Sequence, residues 1–268
     1  MPNASPPSSR PLHPDYGLDA PPVIRTCLII AAAGLLALLT RLLHLWSPRS
    51  PLAYVLFPLM SIGAAALLTA LAMIYYSKIH KLRQADRLLD SLSLTGDERI
   101  LDVGCGRGLY LITAAKRLQH PGSGERASSP LAVGLDIWNP GDLSGNSPAA
   151  TIANARSEAV AAHVRLVHAN ARAMPFPDNT FDLILSCAAL HNIPTPAGRA
   201  QALREIARAL KPAGRLLILD IAHVSEYAEV LQSAGLANIT IHRRWYAPLI
   251  TLATFAALRP GRLTATKA

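Results

Sequence analysis

The chain has 268 residues, of which 51% are hydrophobic, with a formal net charge of +9 at pH 7 and three cysteines that form no C-x-x-C pair. This length allows one sizeable core with appendages, and the apolar content is high for a purely soluble domain, so membrane segments have to be considered first. Because aromatic residues make up only 5% and no basic run is interleaved with them, nucleic acid is not expected as a partner, and the scattered cysteines argue against a disulfide framework or a metal site.

The N-terminal region combines a polar tail with a first apolar segment. Residues 1–22 are rich in Pro and Ser and lack periodicity, which predicts a disordered tail. Residues 23–46 are apolar, but their uncharged centre at 26–40 is short for a membrane span. A full-length span includes Arg41 and His44, whose side chains would have to extend towards the lipid headgroups. An interfacial or buried helix remains the alternative for this segment.

The second apolar segment is the stronger membrane signal. Residues 52–77 carry no charge and end near Tyr75 and Tyr76, where an aromatic belt would lie. Residues 23–77 are therefore predicted to form a two-helix transmembrane hairpin. More Lys and Arg flank the hairpin than lie in its turn, which predicts a multi-pass membrane protein whose residues after 77 are cytoplasmic. Residues 78–96 have helical spacing of apolar residues and are predicted as an amphipathic connecting helix.

The remainder alternates between strand-like and helix-like runs. Five strands are predicted at 99–103, 132–136, 164–168, 181–186 and 215–220, and helices at 109–118, 149–162, 197–210 and 226–234. Two further β-rich runs at 239–245 and 249–258 predict a closing antiparallel pair. The fold class is therefore α/β, with a doubly wound, seven-stranded, mostly parallel sheet over residues 97–260 and a basic tail over 261–268.

The first two strands end in residues that favour a nucleoside-containing cofactor. The stretch "ILDVGCGRG" (100–108) places Gly104 and Gly106 where a backbone can approach a ligand without a Cβ in the way. The second strand ends in Asp136, whose carboxylate could accept from both hydroxyls of a ribose or could cap the next helix. Asp102, just before the glycines, would repel a pyrophosphate and suit a cation, so S-adenosylmethionine is favoured over NAD.

These motifs resemble those of class I S-adenosylmethionine-dependent methyltransferases. "ILDVGCGRG" resembles the first motif of that family, Asp136 its second acidic position, and "LREIARALKPAGRLLILDI" its helix, turn and fifth strand. "NARAMPFPDNTFDLILSCAALHNI" resembles its adenine-contact loop and fourth strand. The resemblance implies a Rossmann-like methyltransferase fold and a set of residues that bind the cofactor S-adenosyl-L-methionine: Asp102, Gly104, Gly106, Asp136, Ile137, Asn170, Ala171 and Ser186.

Two positions depart from the family pattern, and a third offers a candidate base. Asn170 stands where the family usually has Asp, and its carbonyl oxygen can still accept from an adenine amino group. Ala213 replaces the first glycine of the family's turn before the fifth strand. His191, after the fourth strand, is the candidate catalytic base, with capping of its own loop as the alternative.

The leading hypothesis is a membrane-anchored methyltransferase that acts on a small acceptor, and the hairpin favours a lipid-like one. The alternatives are a non-catalytic membrane-anchored scaffold that retains a cofactor-binding fold, which Asn170 would favour, and an NAD-dependent oxidoreductase. Neither the acceptor nor its methylated atom follows from these residues.

Overall fold

The computed structural model describes residues 13–118, 132–243, 247–248 and 258–268, and the chain divides into two compact units. The hairpin unit consists of Tyr16–Gln84 and Asn139–Asn146. The sheet unit consists of Ala85–Trp138 and Ser147–Ala268, together with the N-terminal stretch up to Asp15.

The hairpin unit is built on helices α1 (Pro21–Leu42) and α2 (Ala53–Tyr75). Proline at the start of α1 suits a helix N-terminus, where its missing N–H would have no intrahelical acceptor. The two backbones touch at Gly34 and Gly63, because a Cβ built on Gly34 would lie 2.7 Å from the Cα of Gly63. Small residues at a helix crossing allow this close approach.

Both hairpin helices have the length and apolar composition needed to cross a membrane, a property that core helices and signal sequences share. Only 17% of the apolar window of α1 and 11% of that of α2 is buried. Large side chains such as Leu36, Leu68 and Tyr54 are more than 60% exposed. In a core helix of a soluble protein, these apolar side chains would be buried.

Helix α2 continues through a π-helical turn, Tyr76–His80, into α3 (Lys81–Asp90). Lys81 is only 6% exposed, and its ammonium donates to the carbonyls of Tyr16 and Gly17 and to Asp19 Oδ1, at 3.0, 3.3 and 3.0 Å. The Ser77 hydroxyl donates to the other oxygen of Asp19 at 2.9 Å. The residues before α1 are therefore held at the end of the second apolar helix.

The prediction of a disordered tail over residues 1–22 is wrong for its second half, while residues 1–12 lie outside the described part. Leu18 and Ser144 exchange two hydrogen bonds of 2.7 and 3.0 Å, and Asp19 forms a β-bridge with Leu143. Tyr16 is 8% exposed. The order comes from partners that lie between 58 and 126 residues away along the chain, which a local Pro/Ser composition does not reveal.

The sheet unit contains, within the described residues, a seven-stranded sheet of order β3-β2-β1-β4-β5-β7-β6. Strands β1 to β5 pair in parallel, and β7 is antiparallel to both β5 and β6. The predicted doubly wound, mostly parallel sheet is confirmed. The strands are β1 Ile100–Val103, β2 Ala132–Asp136, β3 Val164–His168, β4 Phe181–Cys187, β5 Leu210–Asp220, β6 Leu236–His242 and β7 Gly261–Lys267.

Helices cover the sheet and complete its core. All four residues of β1 are buried, as expected for a central parallel strand with helices on both faces. The hydroxyls of Ser147 and Thr195 cap the N-termini of α5 and α6 by accepting from backbone N–H groups three residues on, at 3.1 Å each. The helices are α4 Leu109–Leu118, α5 Pro148–Ser157, α6 Pro196–Ala209 and α7 Val224–Ser233.

The prediction of a basic tail over residues 261–268 is also wrong. Residues 261–267 form β7, in which Leu263 is fully buried and lies opposite Ile218 of β5. The Lys267 ammonium donates to the carbonyls of Ala207 and Leu210 at 2.8 Å each. The strand predicted at 249–258 lies outside the described residues except for Leu258, which is not in a strand. The strand predicted at 239–245 starts too late, since β6 begins at Leu236.

Candidate functional site

The predicted cofactor residues lie at the carboxyl edge of the sheet. Strand β1 pairs with β2 on one side and with β4 on the other. The chain therefore reverses its direction of winding beside β1, and the carboxyl edge at such a reversal is where open α/β sheets bind their ligands. The ends of β1, β2, β3 and β4 and the loops that follow them carry all the residues that the family resemblance implied.

The glycine loop turns sharply at Gly104. This residue has a φ of +78°, and its N–H donates to the carbonyl of Leu135 at 2.7 Å. A Cβ built on Gly104 would collide with the Cβ of Ala189, which follows β4. Only glycine combines this backbone conformation with this close approach. The contact with Ala189 is not evident from the sequence, because it joins two loops that are far apart along the chain.

Asp136 ties the end of β2 to this glycine loop. Its Oδ2 accepts from the N–H of Gly106, and its Oδ1 accepts from the N–H of Trp138, each at 2.6 Å. Each carboxylate oxygen retains acceptor capacity for a further donor, which suits the two hydroxyls of a ribose. The next side chain, Ile137, is 52% exposed at the same edge of the sheet.

Asp102 differs from Asp136 in having a buried oxygen without a partner. The residue is 2% exposed, and its Oδ2 has no hydrogen-bond partner among the described residues. Burial, and secondly the negative charge of Asp136, raise the pKa of the Asp102 carboxyl to about 7. A desolvated carboxylate is stabilised by a positive charge and destabilised by a pyrophosphate. The residues present therefore fit S-adenosylmethionine, which carries a sulfonium and an ammonium group, better than NAD.

The residues after β3 lie beside this pair of acids. The N–H of Ala169 donates to the carbonyl of Asp136 at 3.2 Å, which brings Asn170 and Ala171 to the same edge. Asn170 Oδ1 already accepts from the backbone N–H and from the Nε of Arg172, at 3.0 and 3.2 Å. The expectation that this oxygen is free to accept from an adenine is therefore corrected, and the amide NH₂ is the group left to make a contact.

The end of β4 contributes buried groups rather than reactive ones. Ser186 is 1% exposed, and its hydroxyl donates to the carbonyl of Val103 at 3.0 Å, which links β4 to β1. Burial raises the pKa of the Cys105 and Cys187 thiols, and the charge of Asp102 adds to the effect in both cases. The thiols are thus neutral at physiological pH and unsuited to nucleophilic attack.

His191 forms a hydrogen-bonded pair with Asp220, a residue that the sequence analysis did not select. His191 Nδ1 lies 2.5 Å from Asp220 Oδ1, and the backbone N–H of His191 donates to Asp220 Oδ2 at 3.1 Å. The Tyr227 hydroxyl also donates to Oδ2, at 3.2 Å, and the Asp220 side chain is 1% exposed. The sequence does contain a signal for Asp220 as a site residue. Asp220 is the last residue of β5, just as Asp136 is the last residue of β2, and Asp102 lies one residue before the end of β1.

Trp138 packs beneath the glycine loop. It is 7% exposed, and its indole N–H donates to the carbonyl of Gly106 at 3.0 Å. Its ring stacks on His168, with centroids 5.8 Å apart and an interplanar angle of 14°. This side chain supports the glycine loop from the core side.

Comparison with known families supports the assignment of the fold and of the chemistry. Residues 101–218 match a protein family described as a methyltransferase domain. This range runs from the second residue of β1 into β5 and includes every residue of the predicted cofactor site. Asp220 lies just beyond the matched range.

Individual relatives match part of the chain. A demethylmenaquinone methyltransferase of Lactiplantibacillus plantarum is 37% identical over 131 residues, which is 48% of this chain and 47% of that protein. The ubiquinone/menaquinone biosynthesis C-methyltransferase UbiE of Pasteurella multocida is 45% identical over 67 residues, or 25% of this chain and 24% of that protein. The chain thus spans about half or less of the length of these curated relatives.

A solved structure shows the same fold. The YcgJ protein of Bacillus subtilis superimposes with a TM-score of 0.51 at 18% sequence identity, covering 69% of this chain and 98% of that protein. At this level of identity the likeness establishes the architecture of the sheet unit and nothing further.

Proposed function

Because residues 101–218 form a class I S-adenosylmethionine-dependent methyltransferase domain, as their motifs predicted, we propose that this chain is a membrane-anchored enzyme that methylates a small lipophilic acceptor. The observation that carries the proposal is the Asp102 carboxylate, which is buried and has an oxygen without a partner, among the described residues, beside the glycine loop. A buried negative charge of this kind is costly unless the ligand brings a cation.

S-adenosylmethionine, when bound, supplies an activated methyl group, so the protein mainly has to orient, desolvate and, where needed, deprotonate the acceptor. Asp102 offers negative charge to the cationic end of the cofactor. Asp136, held by two backbone N–H groups, presents its remaining lone pairs in a fixed direction to the ribose. Ile137 supplies an exposed apolar side chain to the adenine.

The acceptor's proton is assigned to His191. Since the Asp220 carboxylate accepts hydrogen bonds, it favours the tautomer in which His191 Nδ1 carries the hydrogen and Nε2 is free to take a proton. The His191 side chain is 19% exposed, whereas Asp220 is buried and oriented by Tyr227 and by its own backbone neighbours. In this arrangement His191 acts as the general base and Asp220 fixes its tautomer and stabilises the imidazolium that forms.

Three observations favour a lipophilic acceptor. The relative from Lactiplantibacillus plantarum is named for demethylmenaquinone, and UbiE is named for ubiquinone and menaquinone biosynthesis. In this chain, Ile221 directly follows Asp220, the partner of the proposed base, and supplies an apolar side chain that is 38% exposed. The two apolar helices would hold the enzyme where such molecules reside.

The proposal is tested by incubating the full chain in lipid nanodiscs with methyl-labelled S-adenosylmethionine and either a demethylated quinol or a total lipid extract. Label is expected in a lipid-soluble product identified by mass spectrometry. Binding of the cofactor without transfer to either substrate pool would favour the non-catalytic scaffold, and transfer only to water-soluble acceptors would remove the lipophilic substrate class.

Variants of the proposed base sharpen this test. His191→Asn and Asp220→Asn are each expected to lower kcat by about 10²–10⁴-fold while leaving the Kd for S-adenosylmethionine unchanged, the usual range for loss of a general base. His242→Asn, an exposed histidine at the end of β6, is the matched control and is expected to behave as wild type. A wild-type kcat for His191→Asn would exclude the residue as the base.

A further inference from the structure

Two carbonyls of the cofactor loop, defined as residues 104–108, are held by one face of α5. The Thr151 hydroxyl donates to the carbonyl of Gly106 at 2.7 Å, and the Asn154 side-chain amide donates to the carbonyl of Arg107 at 2.9 Å. Thr151 is 0% and Asn154 2% exposed. Residues three apart in a helix lie on the same face, so a single helix surface contacts two consecutive peptides of the loop.

These contacts determine where the loop directs its N–H groups. A peptide unit is planar, so fixing the direction of one carbonyl fixes the direction of the following N–H. The carbonyl of Gly106 is held by Thr151 and by the Trp138 indole, while the N–H of Gly106 is held by Asp136. Helix α5 and Trp138 therefore restrain the carbonyls of the loop, and Asp136 restrains the N–H of Gly106.

Asp15, in the N-terminal segment of the sheet unit, is the third residue that holds this loop. The backbone N–H of Asp15 donates to Asn154 Oδ1 at 3.0 Å, and the Asn154 amide also donates to the carbonyl of Asp15 at 2.9 Å. The Asp15 carboxylate forms an ion pair of 3.1 Å with the guanidinium of Arg107. Asn154 thus uses both of its polar atoms to join Asp15 to the loop, and Arg107 is engaged through its main chain and its side chain.

We propose that Thr151, Asn154 and Asp15 are positioning residues that set the backbone conformation of the cofactor loop. They act on the cofactor through Gly106 and Arg107 rather than by touching the reacting atoms. The inference rests on the proposed function in one respect, namely that residues 104–108 bind S-adenosylmethionine.

The deciding variants are Thr151→Val and Thr151→Ser, assayed in the full chain. Valine keeps the methyl group that packs on Gly108 and has a second methyl group in place of the hydroxyl. Serine keeps the hydroxyl and lacks the methyl group. Thr151→Val removes the shorter of the two hydrogen bonds to the carbonyl of Gly106 and leaves the one from the Trp138 indole, and it is expected to raise the Kd for S-adenosylmethionine about tenfold. Asn154→Ala removes the side-chain donor to the carbonyl of Arg107 and is expected to raise the Kd at least as much. Thr151→Ser is expected to stay within about twofold of wild type because it restores the donor.

Asp15→Ala tests the weaker part of the network. It leaves the main-chain bonds to Asn154 in place and removes an ion pair whose carboxylate is 52% exposed, so an increase in Kd of only about two- to fivefold is expected. Arg156→Ala, on the exposed face of the same helix, is the matched control and should leave the Kd unchanged.

Calorimetry with S-adenosylmethionine and steady-state kinetics separate the outcomes. Positioning of the loop raises Kd and KM for the cofactor while kcat at saturation stays within about twofold. A wild-type Kd in folded Thr151→Val and Asn154→Ala, or a loss of active protein with unchanged Kd, would overturn the inference. If Asn154→Ala does not fold, the two Thr151 variants decide alone. Failure of the wild-type chain to bind the cofactor would instead overturn the proposed function.

Discussion

At the scale of single residues, two acids at neighbouring strand ends are placed in opposite situations. Asp136 receives two backbone N–H groups, whereas a buried oxygen of Asp102 has no donor among the described residues. The charge of Asp136 is therefore compensated by the chain itself. The charge of Asp102 depends on what binds, which makes this residue the natural origin of any pH dependence of cofactor affinity.

Cofactor affinity is expected to fall below about pH 7. The pKa of Asp102 is raised to about 7 in the free protein, so below that pH the carboxyl is mostly protonated and must lose its proton before it can stabilise a cation. The Kd for S-adenosylmethionine should then rise up to about tenfold for each pH unit below 7, as measured by calorimetry between about pH 5.5 and 8.5.

Asp102→Asn provides the control for this pH dependence. The variant should bind the cofactor weakly and with little change over the same pH range. Because a carboxyl whose pKa is raised on folding costs stability as the pH rises from its unfolded value towards 7, Asp102→Asn should also raise the melting temperature of the free protein at about pH 8. A pH-independent Kd in the wild-type chain would contradict the assignment of Asp102.

Gly104 is expected to tolerate no side chain. Alanine there would take up a left-handed φ, which costs about 1–2 kcal/mol, and would also collide with Ala189. Gly104→Ala should therefore weaken S-adenosylmethionine binding at least about tenfold in calorimetry. Gly141→Ala is the matched control, because a Cβ there makes only an ordinary contact with Asn139 at 3.5 Å. Equal affinities of the two variants would show that the turn at Gly104 does not shape the site.

At the scale of helices and strands, close packing is concentrated at a few small residues. In the hairpin, Gly34 and Gly63 permit the contact between α1 and α2, and most of the larger apolar side chains point away from it. In a bilayer, where lipid is as apolar as leucine, such close contacts supply much of the attraction between helices. The association of the two helices is therefore expected to depend on these glycines more than on the leucines.

Gly63→Val should separate the two hairpin helices. The new side chain would overlap the backbone of Gly34, and overpacking of this kind typically costs about 1–3 kcal/mol. Thermal unfolding of the full chain in detergent should occur several degrees lower than in wild type. Ala64→Val, one position along on the exposed face, should melt as wild type does, and similar melting of both variants would argue against the contact.

The parallel part of the sheet was predictable because its signals are local. Buried parallel strands are short apolar runs separated by amphipathic helices, and β2 and β3 begin and end at their predicted residues. Strand β7 lacks such a signal. Its sequence, GRLTATK, contains one large apolar residue, Leu263, and its position is determined by pairing with β5 and β6 far back in the chain.

The candidate site divides in the same way. Asp102, Gly104 and Asp136 are recognisable because glycines and acids at strand ends suggest their chemistry directly. Asn154 and Asp15 are not, since each gains its role from a partner that only the tertiary structure brings near. The structure also shows why the family has glycine where this chain has Ala213. Ala213 has a φ of +60°, a conformation that glycine would adopt without strain.

At the scale of the whole molecule, the proposal joins a membrane segment to an enzyme, and its orientation follows from charge. Arg25, Lys78 and Arg83 lie towards the outer ends of the two apolar segments, whereas Arg41 and Arg49 lie at the turn between them. For the proposed membrane hairpin, the positive-inside tendency predicts that the turn faces away from the cytoplasm and that the sheet unit lies within it.

Cysteine labelling tests this orientation. In a Cys27→Ser background, Ser47→Cys in the exposed helix turn should react with a membrane-impermeant thiol reagent in intact cells, and Ser225→Cys in the sheet unit should react only after lysis. The remaining native cysteines, Cys105 and Cys187, are buried and give little background. The reverse labelling pattern would place the enzyme on the other side of the membrane.

The sheet unit should depend on β7 for its stability. Leu263→Ala removes a fully buried side chain and is expected to lower the free energy of unfolding by about 2–5 kcal/mol in denaturant titrations. Thr264→Ala, at a partly exposed position of the same strand, should lower it by less than about 1 kcal/mol. If Leu263→Ala were as stable as wild type, residues 261–267 would not be part of the folded sheet.

The position of β7 between β5 and β6 has a consequence for biosynthesis. The edge of β5 stays unpaired on that side until residues 261–267 have left the ribosome, roughly 2–10 s after β5 itself at typical rates of translation. By then the two apolar helices have long been available for insertion. Under the proposed membrane anchoring, the nascent chain would wait beside the bilayer with an unpaired sheet edge, and during this interval we expect it to be most open to pairing with neighbouring chains.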